Sequence, residues 1–144
     1  MKIRKGKMSD AKELLRILKE TKELNGTEKE KAYTLKFVKG AITKPDRDLV
    51  LIAEENSKMA GFLMAELWKN KGYSFLVEIF VKPEFRKVGI ASKLFEEYEK
   101  YCRKNNMTFI NAMVLVSNKK MQKWCKKHKI TKGDKVYFYE KELK

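Results

Sequence analysis

Ile79-Phe80-Val81-Lys82-Pro83-Glu84-Phe85-Arg86-Lys87-Val88-Gly89-Ile90-Ala91 is the stretch of this chain best suited to chemistry. An apolar strand runs into a short basic loop, and a helix opens at Gly89 with the small residues Ala91 and Ser92 behind it. A helix N-terminus presents N–H groups without intrahelical partners and about half a unit of positive charge. Gly89, Ala91 and Ser92 are too small to shield those amides, and Arg86 and Lys87 add full charges beside them. The pattern is that of an anion site able to take a diphosphate, although a lone glycine at a helix start with a solvated arginine would be ordinary. Just upstream, Glu78 is the only ionisable residue in the run Phe75–Val81. Burial among apolar neighbours raises a carboxylate toward the range useful to a general base, but a glutamate at the sheet's mouth, paired with a lysine, fits equally.

Elements with the right periods surround this stretch. Met1 to Lys5 reads as a strand. Ser9-Asp10 offers a cap for a helix with Ala11, Leu14, Leu15 and Leu18 on one stripe, closed by Asn25-Gly26. Thr27, with Glu28 and Glu30 behind it, offers to cap a second helix carrying Leu35, Val38, Ala41 and Ile42. The period then changes to that of strands over Leu49–Glu54, Met59–Trp68 and Tyr73–Val81, joined by short turns at residues 55–58 and 70–72, an antiparallel meander. The third of these strands is nearly all apolar, as a central strand covered on both faces should be. A long helix follows over Gly89–Asn105, with Ile90, Leu94, Tyr98 and Cys102 on its buried stripe. Thr108–Val116 reads as a strand, Asn118–His128 as a helix and Lys135–Glu140 as a last strand. The order β-α-α-β-β-β-α-β-α-β gives a mixed α/β fold, a sheet with helices on its faces.

Composition narrows the function classes. The 144 residues fit one domain, 1–144, and a hydrophobic fraction of 43% excludes a disordered chain. No apolar run approaches the roughly 20 residues of a membrane span. Two cysteines, Cys102 and Cys125, are too few for a disulfide framework or a zinc site, and with no secretory signal visible the expectation is a cytoplasmic protein. Thirty-four Lys and Arg against nineteen Asp and Glu leave a net charge of +15. Such a surface attracts an anionic cofactor or nucleic acid and opposes polycations. The same Lys/Glu-rich, Gln-poor composition fits a heat-adapted protein.

The chain resembles the GNAT superfamily, the general-control-related N-acetyltransferases. Their acyl-CoA motif, Val-x-x-x-x-Arg/Gln-x-x-Gly-x-Gly/Ala, is met by Val81, Arg86, Gly89 and Ala91, and the order of elements matches over almost the whole chain. The resemblance implies a mixed, mostly antiparallel sheet of six to seven strands with helices on both faces. It implies acetyl-CoA as cofactor, its pyrophosphate held by the amides of Val88 to Ser92 beside Arg86 and Lys87. Its pantetheine would lie along the edge of Ile79, Phe80 and Val81, where the fourth and fifth strands of that family splay apart. A second family signature, Asn-x-x-Ala-x-x-Phe-Tyr-x-x-x-Gly-Phe, falls on residues 118–130. Asn118 is kept and Trp124 keeps the aromatic character, but Cys125 replaces the tyrosine and Lys129 the glycine.

Acetyl transfer by direct attack through a tetrahedral intermediate needs a neutral amine, a stabilised oxyanion and a proton for the departing thiolate. An amine of pKa about 10 is mostly protonated at neutral pH, so a base helps, and Glu78 is the candidate. In many relatives the missing tyrosine is the acid; Cys125 stands in its place, with Tyr137 and Tyr139, or solvent, as other donors. A small buried helix residue is the commoner fate of a free cysteine. The acceptor is expected to be a primary amine: a protein N-terminus, a lysine or a small amine. From Leu115 to Lys144 ten lysines face three acids, which admits an RNA-linked acceptor or a nucleic-acid-associated module with weak or no turnover. A solvated lysine face accounts for the same charges. A monomer or a homodimer fits the family.

Overall fold

A computed structural model describes residues 1–24 and 33–143. They form two compact units, Met1–Met113 and Val114–Lys144. The first holds strands β1 (Lys2–Lys5), β2 (Asp48–Glu55), β3 (Lys58–Trp68), β4 (Tyr73–Val81) and β5 (Phe109–Ala112), with helices α1 (Ala11–Glu20), α2 (Leu35–Thr43) and α3 (Ile90–Lys104). The second holds α4 (Lys119–Lys127). The strands lie side by side in chain order, antiparallel except for the parallel β4–β5 pair, which α3 connects.

The turns follow from backbone sterics. Asn56 and Ser57, at φ 49° and 61°, take the left-handed conformations that a two-residue hairpin requires between β2 and β3. Gly72 at φ 70° ends the turn into β4. Alternation along the strands then divides the sheet into two apolar faces. Val50, Ile52, Phe62, Met64 and Phe80 share a core with Leu14 and Leu18 of α1 and Val38 and Ala41 of α2. On the opposite face α3 lies against β2, β3 and β4. It buries the expected stripe Ile90, Leu94, Tyr98 and Cys102. The polar atoms of that face are satisfied: the Ser74 hydroxyl bonds the Tyr98 hydroxyl and the Glu66 carbonyl.

Several expectations need correction. Asp10 precedes α1 but does not cap it; its carboxylate accepts from both Arg4 terminal nitrogens at 2.8 and 2.9 Å and from the Lys7 amide. The cap of α2 is Thr34, whose hydroxyl oxygen accepts the Phe37 N–H at 3.1 Å; Thr27, Glu28 and Glu30, like Asn25-Gly26, lie outside the described residues. The strand expected over Thr108–Val116 is only Phe109–Ala112, because its one ladder partner, β4, pairs with it no further than Leu76. Lys135–Glu140 forms no strand at all, since an alternating pattern makes a strand only where a ladder partner exists. The described residues therefore hold five strands rather than six to seven. None of their helices is long and apolar enough to cross a membrane.

Lys82 ties the end of β4 to α1 through an ion pair with Glu13 at 2.8 Å. Arg16 and then Lys82 hold the Glu13 carboxyl down at about 2, from an ordinary 4.5. A carboxyl depressed in the folded state stabilises above its unfolded pKa, and that contribution fades as pH falls from about 4.5 toward 2. Glu13→Gln should accordingly flatten the acid limb of Tm against pH in this window. Gly61 of β3 faces Val81, and a Cβ there would stand 2.5 Å from the Phe80 carbonyl oxygen. Gly61→Ala should destabilise by about 1–3 kcal/mol in urea unfolding. Gly40→Ala, inside α2 with only Arg47 Nη2 at 3.8 Å, should stabilise by about 0.5–1 kcal/mol.

Candidate active site

β4 supplies the site by changing its company halfway along. Its register against β3 slips between Met64 and Ala65: Ala65 faces Leu76 while Met64 faces Glu78, so Val77 is an extra residue, a β-bulge. β5 accompanies β4 only from Tyr73 to Leu76. From Val77 to Val81 the strand is therefore paired to β3 on one flank, and no strand of the described residues occupies the other. The N–H and C=O groups on that flank form an edge on which an extended, amide-bearing ligand can lie.

The bulge also turns Glu78 toward the face that carries Phe80, Met64 and the helices α1 and α2. Glu78 is half-buried there, and the Tyr33 hydroxyl donates to its Oε1 at 2.9 Å. The Tyr33 ring in turn rests on Phe37, with centroids 5.1 Å apart. Tyr33 is a site residue that sequence reading missed. It lies just before α2, outside any motif, and only the fold brings it 45 positions along the chain to Glu78.

Beyond Val81 the chain turns through Lys82–Gly89. The Lys82 N–H donates to the Ala60 carbonyl at 2.9 Å, which anchors the loop to β3. Arg86 folds back: its Nε donates to the Val81 carbonyl at 2.9 Å and its guanidinium lies 5.6 Å from the Phe80 ring. The arginine thus holds the strand–loop corner with one of its five N–H groups. Lys87 takes the left-handed conformation at φ 69° and Gly89 at φ 82°, and Gly89 becomes the N-cap of α3 with no capping side chain. The amides of Ile90 and Ala91 stand in the first turn, where an α-helix has no carbonyl for them. A Cβ built on Gly89 meets no atom within 4 Å, so the space over that turn is open. The expected anion-binding stretch Arg86, Lys87, Val88, Gly89, Ile90, Ala91 and Ser92 thus lies at the end of the strand that carries Glu78, Ile79, Phe80 and Val81.

Asn118 and Cys125 belong to the second unit. Asn118 is the N-cap of α4, its Oδ1 accepting the Met121 N–H at 3.0 Å. Gln122 secures the preceding turn by donating to the carbonyls of Leu115 and Val116. Cys125 is the buried residue of α4, and burial pushes its thiol up from the ordinary range. His128 stacks on Trp124 at 4.0 Å between ring centroids. Lys119, Lys120, Lys123, Lys126 and Lys127 are all exposed. Tyr137 and Tyr139, the other donors considered, are exposed as well.

A profile of the Acetyltransferase (GNAT) family matches residues 11–129. An uncharacterized N-acetyltransferase of Archaeoglobus fulgidus is 30% identical over 116 residues, 74% of this chain and 76% of that protein. Among solved structures, the aminoglycoside acetyltransferase AAC(6')-Iy, in complex with the bisubstrate analogue CoA-S-monomethyl-acetylneamine, shares the fold with a TM-score of 0.81 at 19% identity over 99% of this chain and 98% of that one. The aminoglycoside 6'-N-acetyltransferase AAC(6')-IG of Acinetobacter haemolyticus does so with a TM-score of 0.82 at 18% identity over the whole of both chains. The profile spans most of the chain, and with it the bulged strand, the open edge and the glycine-started helix, so the protein belongs to the GNAT acetyltransferases and takes its acetyl group from acetyl-CoA.

Proposed function

We propose that this enzyme moves the acetyl group of acetyl-CoA to a primary amine at the point where β4 leaves β5, with Glu78 as the proton acceptor. The family profile, running across both units from residue 11 to 129, supports reading 1–144 as one acetyltransferase domain. The observation that carries the site is the bulge at Val77, which gives one strand both a free edge and an inward carboxylate.

The residues suit the cofactor. The open space over Gly89 leaves the first-turn amides of α3 accessible to a pyrophosphate, with Lys87 and Arg86 adjacent. The edge at Ile79, Phe80 and Val81 suits the amides of a pantetheine arm. When bound, acetyl-CoA supplies an activated thioester acetyl group. Glu78 takes the proton that the acceptor must lose, its carboxylate oriented by the Tyr33 hydroxyl. A backbone N–H on the open flank of β4 is the proposed oxyanion donor. Burial favours the neutral form of the Cys125 thiol and makes it a poorer proton donor; the departed thiolate, whose ordinary pKa lies above neutral, takes its proton from the solvent. Asn118 acts by capping α4.

For the acceptor, the net charge of +15 opposes polycations and favours a single amine, such as a protein N-terminus, a lysine side chain or a small amine. The aminoglycoside acetyltransferases share the fold at 18–19% identity, and their acceptors do not transfer to this chain on that ground. A second reading, a CoA-binding or nucleic-acid-associated module with little turnover, rests on Cys125 in the place of the family's tyrosine. It predicts acetyl-CoA binding without acetylation of any amine in a panel.

Calorimetric titration should show acetyl-CoA binding that Gly89→Trp weakens about a hundredfold or more. The same variant should stay folded, with a strain of roughly 1–2 kcal/mol from a side chain at positive φ. Undiminished binding in that variant would remove the pyrophosphate assignment. With the best amine of a panel, Glu78→Gln should lower kcat/KM roughly a hundredfold at neutral pH and leave acetyl-CoA affinity unchanged; full activity in Glu78→Gln would rule out the base.

A further inference from the structure

Alternation along β3 puts Met64, Glu66 and Trp68 on one face of the sheet, the face to which Glu78 turns. Register carries that face across the neighbouring strands. Glu66 stands opposite Phe75 and Phe75 opposite Asn111; Trp68 stands opposite Tyr73 and Tyr73 opposite Phe109. Three rows result: Met64 with Glu78, then Glu66 with Phe75 and Asn111, then Trp68 with Tyr73 and Phe109. At roughly 6.8 Å for two strand residues, the last row lies about 14 Å along β3 from the first.

The core under α1 and α2 takes in Met64 but not Glu66, Trp68 or Tyr73. In the last row Trp68, Tyr73 and Phe109 are 50%, 39% and 60% exposed. Their rings are nevertheless held. Tyr73 and Phe109 meet edge to face with centroids 5.6 Å apart, and Lys71 Nζ lies 5.4 Å from the Trp68 centroid. A contiguous row of exposed aromatic side chains marks a surface that receives a ligand. In the middle row the half-buried Glu66 carboxylate forms no hydrogen bond or ion pair with any described residue.

These rows define the chemistry of an occupant. Glu78 and Glu66 reverse locally the sign of a chain of net charge +15, so the occupant is cationic near the reacting amine, and phosphates are turned away. Lys71 already lies over Trp68, so the last row takes an apolar or aromatic group rather than a further cation. The spacing of the rows is that of alternate side chains in an extended polypeptide. A small aromatic amine would reach the middle row and leave the last one empty. An α-amine, of ordinary pKa about 7.7–8.0, also gives its proton to a carboxylate more readily than a lysine side chain at about 10.4.

We propose that the acceptor is the N-terminal α-amine of an extended peptide, with a basic third residue paired to Glu66 and a large apolar fifth residue on Trp68, Tyr73 and Phe109. The proposal rests on the reading of Glu78 as the base. The α-nitrogen forms the amide bond as the C–S bond of the thioester breaks, Glu78 takes the proton from that nitrogen, and the thiolate departs. Glu66 and the aromatic row determine specificity, and all of them lie within the unit Met1–Met113.

The test measures kcat and KM for three hexapeptide amides, Ala-Gly-Arg-Gly-Phe-Gly, Ala-Gly-Glu-Gly-Phe-Gly and Ala-Gly-Arg-Gly-Gly-Gly. The enzymes are the full chain and its variants Glu66→Lys, Trp68→Ala and Tyr73→Ala, each checked for its fold by acetyl-CoA binding. With the parent, the first peptide should exceed each of the others about tenfold in kcat/KM, mainly through KM. Glu66→Lys should invert the preference between the arginine and glutamate peptides. Trp68→Ala and Tyr73→Ala should each shrink the advantage of the phenylalanine peptide over its glycine counterpart to about twofold or less. Because the peptides themselves carry the changes of charge and ring, the parent alone decides the matter if a variant fails to fold. Equal kcat/KM for the three peptides in the parent overturns the proposal, and so does a preference that survives every variant. Faster acetylation of phenethylamine, or of a lysine in an N-acetylated peptide, overturns it as well. In those cases Glu78-dependent acetylation of the preferred amine would leave the base standing without the peptide. If no amine is acetylated although acetyl-CoA binds, both readings fall.

Discussion

One inserted residue, Val77, governs the working end of this molecule. Backbone groups of a sheet must find partners, and side chains alternate between faces with a period of two. An extra residue here adjoins the end of the β5 pairing at Leu76 and brings Glu78 to the α1–α2 face opposite Met64. The slip against β3 falls at the point where the pairing with β5 stops. The flank of Val77–Val81 that β5 leaves unpaired, the half-buried carboxylate and its Tyr33 partner all lie at or beyond that irregularity.

The corner beyond Val81 carries the second constraint. A strand must hand over to a helix whose first amides face outward, within a loop of eight residues from Lys82 to Gly89. The loop is fixed by its own bonds: Lys82 to Ala60, Phe85 to Lys82, and Arg86 through Nε to Val81. Lys82 also anchors to α1 through Glu13. Left-handed conformations at Lys87 and Gly89 make the final turn. Lys87 carries strain that a glycine would not, and it keeps a positive charge at the mouth of the helix. The arginine of the motif is thus both corner-holder and local charge, two roles that a spacing rule cannot separate.

These features were unequally legible in the sequence. Gly89 and Arg86 could be read because the amides they expose belong to the backbone, whose behaviour depends on little besides residue size and charge. The stripe Ile90, Leu94, Tyr98 and Cys102 could be read because helical period survives any choice of apolar residue. The bulge could not: Phe75–Val81 is apolar throughout, so no alternation existed to show a slipped register. Tyr33 could not, because its partner is remote in sequence. The pattern offers Thr27 as the cap of α2, whereas the helix carrying Leu35, Val38 and Ala41 is capped by Thr34, because packing decides where a helix starts. Lys135–Glu140 was read as a strand from its pattern, and the pattern is real; a strand also needs a ladder partner.

That division has a consequence for what this enzyme can vary. On the proposed reading the cofactor side is made of backbone: an open flank of β4 and the first turn of α3, over which a Cβ on Gly89 would meet no atom within 4 Å. Side chains elsewhere can drift widely without disturbing it, which is compatible with a shared fold at 18–19% identity. The acceptor side of the same proposal is made of side chains: Glu78, the Tyr33 hydroxyl that donates to it, and the Phe37 ring on which Tyr33 rests. A change at the start of α2 would move Tyr33, and through its hydroxyl the orientation of the carboxylate, without touching the first turn of α3. The proposal therefore makes donor and acceptor recognition separable on this fold: one half is built from peptide groups, and the other is reached through the residues that lead into α2.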